Sequence, residues 1–142
     1  MSNIYFHFLQ DDFSLAERSS LKTFIQGIFK KERQKLDTLQ YIFCSDSYLL
    51  EINQQYLSHD FYTDIITFDL SEKGQAKNAE IYISVDRVRD NSENFNSSFK
   101  TELHRVMFHG ALHLCGYDDK SKKDQQAMRA KEDKYLKLYF DK

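Results

Sequence analysis

The hydrophobic patterning of this chain predicts an α+β (α/β) fold: a single compact domain with a four-stranded mixed sheet and helices packed around it. Three observations carry that prediction. Ile4, Phe6 and Phe8 alternate with Tyr5 and His7 at the two-residue period of a half-buried strand. Leu21, Phe24, Ile25, Ile28 and Phe29 recur at the three-and-four spacing of an amphipathic helix. Two β-rich runs, residues 63–70 and 79–84, stand on either side of a polar stretch. With 142 residues the chain has enough length for one core and too little for two comfortable domains. No repeat, low-complexity tract or linker divides it, so residues 1–142 read as one domain.

The elements follow in the order β-α-β-α-β-β-α-α. The first strand gives way to the helix carrying Leu21 to Phe29, which leaves through the charged segment 30–35. Leu39 to Cys44 reads as the second strand, and Ser45, Asp46 and Ser47 offer caps for a helix bearing Leu49, Leu50, Ile52 and Tyr56. Residues 71–78 connect the two β-rich runs as a hairpin loop too long for a tight turn. Ser98 is placed to cap a strongly apolar helix, and a last helix from about Asp124 to Leu138 turns Met128, Tyr135 and Leu136 toward the body.

The apolar helix carries the chemistry. His109 and His113 are four residues apart, so both imidazoles project from one helix face and can reach a single ion. Leu103, Val106, Met107, Phe108, Ala111, Leu112 and Leu114 surround them, and two imidazoles in so apolar a helix need polar partners. Gly116 lets the chain stop and turn, which can return a carboxylate from the pair Asp118-Asp119 toward the histidines. Two histidines, one carboxylate and an open position form the catalytic arrangement for a divalent ion. Spacing alone does not choose between the two aspartates. Zinc is the first expectation for the ion; a carboxylate ligand also widens tolerance for manganese, iron or nickel. The bland alternative for each histidine is a hydrogen-bonded core residue, as it is for His7 on the outer face of the first strand.

Absences are informative as well. Gly110, not glutamate, follows His109, so this is not the HExxH of zinc proteases, whose general base sits beside the first ligand. A glycine there points to close approach of another backbone or of substrate. Cys115 and Cys44 continue apolar runs and read as small buried hydrophobes; two cysteines make no disulfide framework. The net charge of -2 excludes a globally basic nucleic-acid binder. Any such contact must use a local patch, such as Lys30-Lys31-x-Arg33-x-Lys35 or Lys120-x-Lys122-Lys123, or the metal site itself. No window reaches the apolar length of a bilayer span and no export signal opens the chain, so the expectation is a cytoplasmic protein with no membrane partner.

The segment from His109 to Asp118 resembles the YbeY-type endoribonucleases, whose hallmark is His-Gly-x-Leu-His-Leu-x-Gly-Tyr-Asp-His. Ile52-Asn53-x-x-Tyr56 and Thr63-Asp64-Ile65-Ile66-Thr67-Phe68 are similar to that family's Leu-Asn-x-x-Tyr-Arg and Thr-Asp-Val-Leu-Ser-Phe elements, and residues 80–84 look like its following strand. Two positions depart from the pattern. Asp119 stands where the family has its third ligand histidine, and Leu57 where it commonly has an arginine.

The resemblance implies His109, His113 and Asp119 as metal ligands, acting in catalysis through the ion and its water. It leaves Asp118 outside the ligand sphere and places Thr63 and Asp64 on the cleft side; His59 has no counterpart to carry over. It implies a metal-dependent hydrolase of single-stranded RNA that matures the 3′ end of small-subunit (16S) rRNA and serves ribosome quality control. Its partners would be RNA, the small ribosomal subunit and assembly factors. Two other readings stand beside it: a ribosome-assembly binding protein whose metal is mainly structural, which Leu57 keeps open, and a non-haem iron oxygenase, because two histidines and a carboxylate also make a facial triad.

Overall fold

A computed structural model describes residues 3–10 and 13–141. Its elements are β1 (Ile4–Phe8), α1 (Arg18–Lys31), β2 (Leu36–Cys44), α2 (Asp46–Leu57), β3 (Ile65–Asp69), β4 (Lys77–Ser84), α3 (Val85–Asn94), α4 (Phe99–Leu114) and α5 (Lys122–Phe140). The four strands form one mixed sheet in the order β1-β2-β4-β3. β1 runs parallel to β2, with Phe6 opposite Tyr41, and β2 runs parallel to β4, with Tyr41 opposite Ile81. β3 returns antiparallel to β4 with Ile65 opposite Ile83, so residues 70–76 do form the expected hairpin connection.

Alternation along β2 assigns its two faces. Leu39, Tyr41 and Phe43 are fully buried in the main core, while Cys44 belongs to a second, smaller cluster with Leu49 and Ile52 of α2 and Ile66 of β3. Helices therefore cover both sides of the sheet, which explains why β2 reads as a continuous apolar run toward its end. Helix α4 lies in the main core, with Met107, Phe108, Ala111 and Leu112 wholly inaccessible to solvent. Tyr41 Oη donates to the Met107 carbonyl at 2.8 Å, satisfying a hydroxyl that the core would otherwise strand.

The expected caps are in place. Ser45 Oγ accepts from the Tyr48 N–H at the start of α2, and Ser98 Oγ accepts from the Thr101 N–H at 3.0 Å at the start of α4. Each such cap is worth about 1 kcal/mol. The predicted order holds with one addition, because α3 lies between β4 and α4. Only Val85, Val88 and Ser92 of this short polar helix are buried, so it has little apolar period to read. Among the described residues no helix is long and apolar enough to cross a membrane.

Gly110 marks where α4 meets the sheet. A Cβ there would stand 2.8 Å from Ile81 Cδ1 and 3.0 Å from Ile65 Cδ1. The close neighbours are thus side chains of β4 and β3, not a backbone or a substrate, and the glycine serves helix–sheet contact. Cys44 is buried and Cys115 packs against the core; burial pushes both thiols up to about 12, so both are inert at neutral pH.

Candidate metal and catalytic cleft

Helix α4 ends at Leu114, and the chain reverses at Gly116, whose φ of +107° is a conformation that L side chains rarely adopt. Tyr117 is pinned from both ends after that turn. Its hydroxyl donates to Glu32 Oε1 at 2.8 Å, and its carbonyl lies 3.1 Å from His113 Nδ1. The reversal carries Asp119 back along α4 until its Oδ2 is 3.4 Å from His109 Nε2. Asp118 faces the other way in bonding terms: its Oδ1 accepts the Asp119 N–H at 3.0 Å. Of the two adjacent aspartates, Asp119 reaches the histidine and Asp118 shapes the loop.

His109 is anchored from its other nitrogen. Nδ1 lies 2.6 Å from Oε2 of Glu132, a residue of α5 whose side chain is almost fully buried. Glu132 Oε1 accepts from Arg105 Nη1 at 3.0 Å, and Arg105 Nη2 also donates to Asp133 at 2.8 Å. Burial alone would lower the pKa of His109, but the Glu132 hydrogen bond and the charges of Glu132, Asp119 and Asp64 outweigh it and hold the imidazole above its ordinary range. Burial acts in the opposite sense on Asp64, raising its carboxyl against the pull of nearby His109.

A cavity of about 500 Å³ opens over these groups. Thr63, Asp64, His109 and Asp119, all expected at the site, line it together with Glu102, Arg105, Gln125, Arg129 and Glu132, which sequence did not single out. Gln125 Nε2 donates to the Asp119 carbonyl at 3.0 Å and ties the loop to α5. Arg129 has no hydrogen bond or ion pair among the described residues. His113 does not line the cavity and its side chain is exposed. Among the described residues, no three histidine, cysteine, aspartate or glutamate side chains stand close enough together to hold an ion. The structure therefore joins His109 to Asp119 and leaves His113 one helical turn away. His7 pairs with Gln40 on the outer sheet at 2.9 Å, and His59 stacks on Phe61; neither reaches the cavity.

Two of the three expected donors, His109 and Asp119, stand together and suit a divalent cation, while His113 lies outside the cavity. Both histidines have Nδ1 committed, to Glu132 and to the Tyr117 carbonyl, which leaves Nε2 as the atom available to an ion in each; such outer partners fix the tautomer of an imidazole. The cavity also gathers four carboxyl groups, Asp64, Glu102, Asp119 and Glu132, with burial raising Asp64 and Glu102, against the guanidiniums of Arg105 and Arg129 and the imidazole of His109. A divalent ion would offset that excess of negative charge.

Glu132 could have been found in the sequence. It falls four residues after Met128 and three before Tyr135, inside the apolar stripe of the last helix, and a carboxylate in that position needs a buried partner.

Fold and cleft together define an α+β domain with a histidine–carboxylate site between a core helix and a C-terminal helix. A family model described as Endoribonuclease YbeY matches residues 6–139. A Cytophaga hutchinsonii protein named Endoribonuclease YbeY is 50% identical over 134 residues, covering 94% of this chain and 94% of that protein. A Flavobacterium psychrophilum protein of the same name is 49% identical over 131 residues, covering 92% and 93%. The solution structure of TM1509 from Thermotoga maritima superposes with a TM-score of 0.65 at 32% identity, covering 93% of this chain and 87% of that one. The chain belongs to the YbeY family.

Proposed function

We propose that this chain is a metal-dependent endoribonuclease, a hydrolase of RNA phosphodiester bonds acting in rRNA processing. The observation that carries the reading is the His109–Asp119 contact, backed by buried Glu132, inside a cleft on a chain whose relatives are named endoribonucleases. His109, His113 and Asp119 are the ligands in this proposal, with zinc as the first candidate ion and manganese, iron or nickel as alternatives. A bound ion would supply positive charge to a phosphate oxygen and acidify a water toward neutral pH.

The remaining work falls to the chain. Glu132 keeps Nδ1 of His109 hydrogen-bonded and so presents Nε2 to the cleft. Asp118 holds the backbone of Asp119, and Gln125 secures the same loop from α5. Asp64, fixed by Asn91 Nδ2 at 3.3 Å, and Thr63 border the cleft where the RNA backbone would enter. Single-stranded RNA is the proposed substrate, with the 3′ end of small-subunit 16S rRNA as the processing site, ribosome quality control as the wider role, and the small subunit and its assembly factors as cytoplasmic partners.

Family membership favours hydrolysis over the binding-protein and oxygenase readings. The experiment is elemental analysis of protein purified without chelator, paired with RNA cleavage before and after metal removal. One divalent ion per chain and cleavage that disappears on chelation and returns on reloading are expected. Full metal retention in the His109→Ala, His113→Ala double variant would overturn the site; chelator-insensitive cleavage would overturn the metal dependence.

A further inference from the structure

Phe95 is 65% exposed and Tyr62 is 54% exposed. Single exposed rings are ordinary on a protein surface, but these two have a particular placement. Phe95 lines the cavity that holds His109 and Asp119, and Tyr62 immediately precedes Thr63 and Asp64, which line it as well. Helix α3 runs beside both, touching Tyr62 through Arg87 and ending at Phe95. Arg87, Asn91 and Phe95 follow one another at four-residue intervals along one side of the helix and its C-terminal cap. The Arg87 guanidinium carbon is 5.1 Å from the centre of the Tyr62 ring, Asn91 bonds Asp64, and Phe95 closes the row. Eight residues of helical rise separate the ends of this row by about 12 Å.

Both rings are held and keep open surface: Arg87 lies over one face of Tyr62, which is still more than half exposed. Arg87 Nη2 is locked to Asp46 Oδ2 at 2.6 Å, which fixes the cation against Tyr62. The Phe95 N–H donates to the Asn91 carbonyl at 2.9 Å, which fixes its backbone while the ring stays bare. Thr63 and Asp64 of the cavity lining, with Asn91 bonded to Asp64, put polar groups beside the rings and interrupt the apolar surface of Ile65 and Val106. An apolar peptide would find no continuous greasy floor there. A nucleic-acid strand suits the pattern, because its flat bases stack on aromatic rings while its polar backbone passes between them.

We infer that Tyr62 and Phe95 are stacking platforms for unpaired bases of RNA on either side of the phosphate that enters the cavity. This rests on the endoribonuclease reading and deepens it. A base inside a duplex is already stacked on its neighbours and offers no free face to either ring, so the two platforms select single-stranded segments. Stacking accepts any base, so the selectivity is for strandedness more than for sequence.

The chain contains no tryptophan, so Phe95→Trp installs one reporter indole at the site. That variant, as purified, is titrated with a short unstructured oligoribonucleotide, with an abasic ribose–phosphate chain of equal length, and with an RNA duplex. Saturable quenching by the first alone is expected. In parallel binding titrations, Tyr62→Ala and Phe95→Ala each weaken the unstructured oligoribonucleotide about tenfold. Tyr62→Phe retains affinity, and so does Tyr5→Ala, which removes an equally exposed ring of β1 outside the cavity. Equal quenching by the abasic chain, or alanine variants that bind as tightly as the unaltered protein while it cleaves RNA, would overturn the inference and leave the nuclease standing. An unaltered protein that neither binds nor cleaves RNA would take both down together.

Discussion

Glu132 divides its carboxylate between two partners, one oxygen on His109 Nδ1 and the other on Arg105 Nη1. A buried acid shared in this way acts on the histidine through charge and through geometry at once. Glu132→Gln keeps an amide oxygen for one partner and loses the charge for both. A fall of about 10- to 100-fold in metal affinity is expected, read by competition against a chromogenic chelator. Unchanged affinity would show that Glu132 only supports the fold.

The neighbouring aspartates give a second residue-scale prediction. Asp119→Ala will lose most of its metal, whereas Asp118→Ala will retain more, because the Asp118 carboxylate accepts from the Asp119 backbone N–H while Asp119 Oδ2 is the oxygen beside His109. Metal content of the two purified variants decides it, and the reverse order would reassign the ligand. Arg129 supplies a third. It lines the cavity with no ion-pair partner among the described residues, so Arg129→Gln is expected to weaken RNA binding and to shallow the salt dependence of log Kd by about 0.7. An unchanged slope would remove Arg129 from the phosphate path.

The pairing of His109 and His113 on one helix face was legible because a four-residue spacing lies within one stretch of chain, whereas the choice of Asp119 over Asp118 came from the family motif and not from spacing. Glu132 and Arg129 lie far along the sequence and come into the cleft only when α5 docks. The apolar stripe of the last helix marks Glu132 as buried, but no local spacing names His109 as its partner or puts Arg129 in the cleft.

At the scale of elements, α4 is held from three sides: Tyr41 bonds it from β2, Gly110 lets it settle on Ile81 and Ile65, and α5 closes over His109. Gly110→Ala places a Cβ 2.8 Å from Ile81 Cδ1 and 3.2 Å from Ile81 Cγ2, so the packed Ile81 side chain must turn or the helix must move off the sheet. Overpacking of this kind costs about 1–3 kcal/mol, and a lowered denaturant midpoint with unchanged slope is the expected signature.

The link between α1 and α5 carries a pH dependence. Glu32, just past the end of α1, accepts from Tyr117 and Tyr135 and pairs with Lys131 at 3.2 Å. Burial alone would raise its pKa, yet these hydrogen bonds and the Lys131 charge win and hold it below the ordinary value of 4.5. A carboxyl depressed on folding stabilises the native state fully above that ordinary value, and the contribution fades as pH falls through the lower folded value. Glu32→Gln is therefore expected to cost stability at neutral pH and to converge with the unaltered protein in acid, as followed by urea unfolding across pH. A constant gap at every pH would assign Glu32 a steric role only. The caps of α2 and α4 were readable because serine chemistry is local, whereas the Glu32 cluster joins residues about a hundred positions apart. Helix α3 escaped because it packs through only a few small positions and spends its polar side on Asp64 and Asp46.

Across the whole molecule, the sheet supplies a rigid platform while the cleft is assembled from pieces that arrive separately: Thr63 and Asp64 before β3, His109 on α4, Asp119 after the Gly116 turn, and Glu132 on α5. The alternating strands and the apolar helix made the platform legible; the convergence of these pieces depends on tertiary docking. That assembly concentrates four carboxylates in one cavity, so closing the cleft brings like charges together, and a divalent ion bound there would reward the native state over the unfolded chain, in which the donors are scattered. Ligand linkage sets the size: free ion at a hundred times its Kd adds about 2.7 kcal/mol to folding. Thermal unfolding of metal-loaded protein is expected at a clearly higher temperature than after chelation, with the gap growing as the ion concentration rises. The Asp119→Ala variant is expected to show little of that gap, because the donor next to His109 Nε2 is gone. A melting temperature indifferent to metal in the unaltered protein would mean that these groups fold together for reasons of their own, with Arg105, Arg129 and His109 balancing the carboxylates.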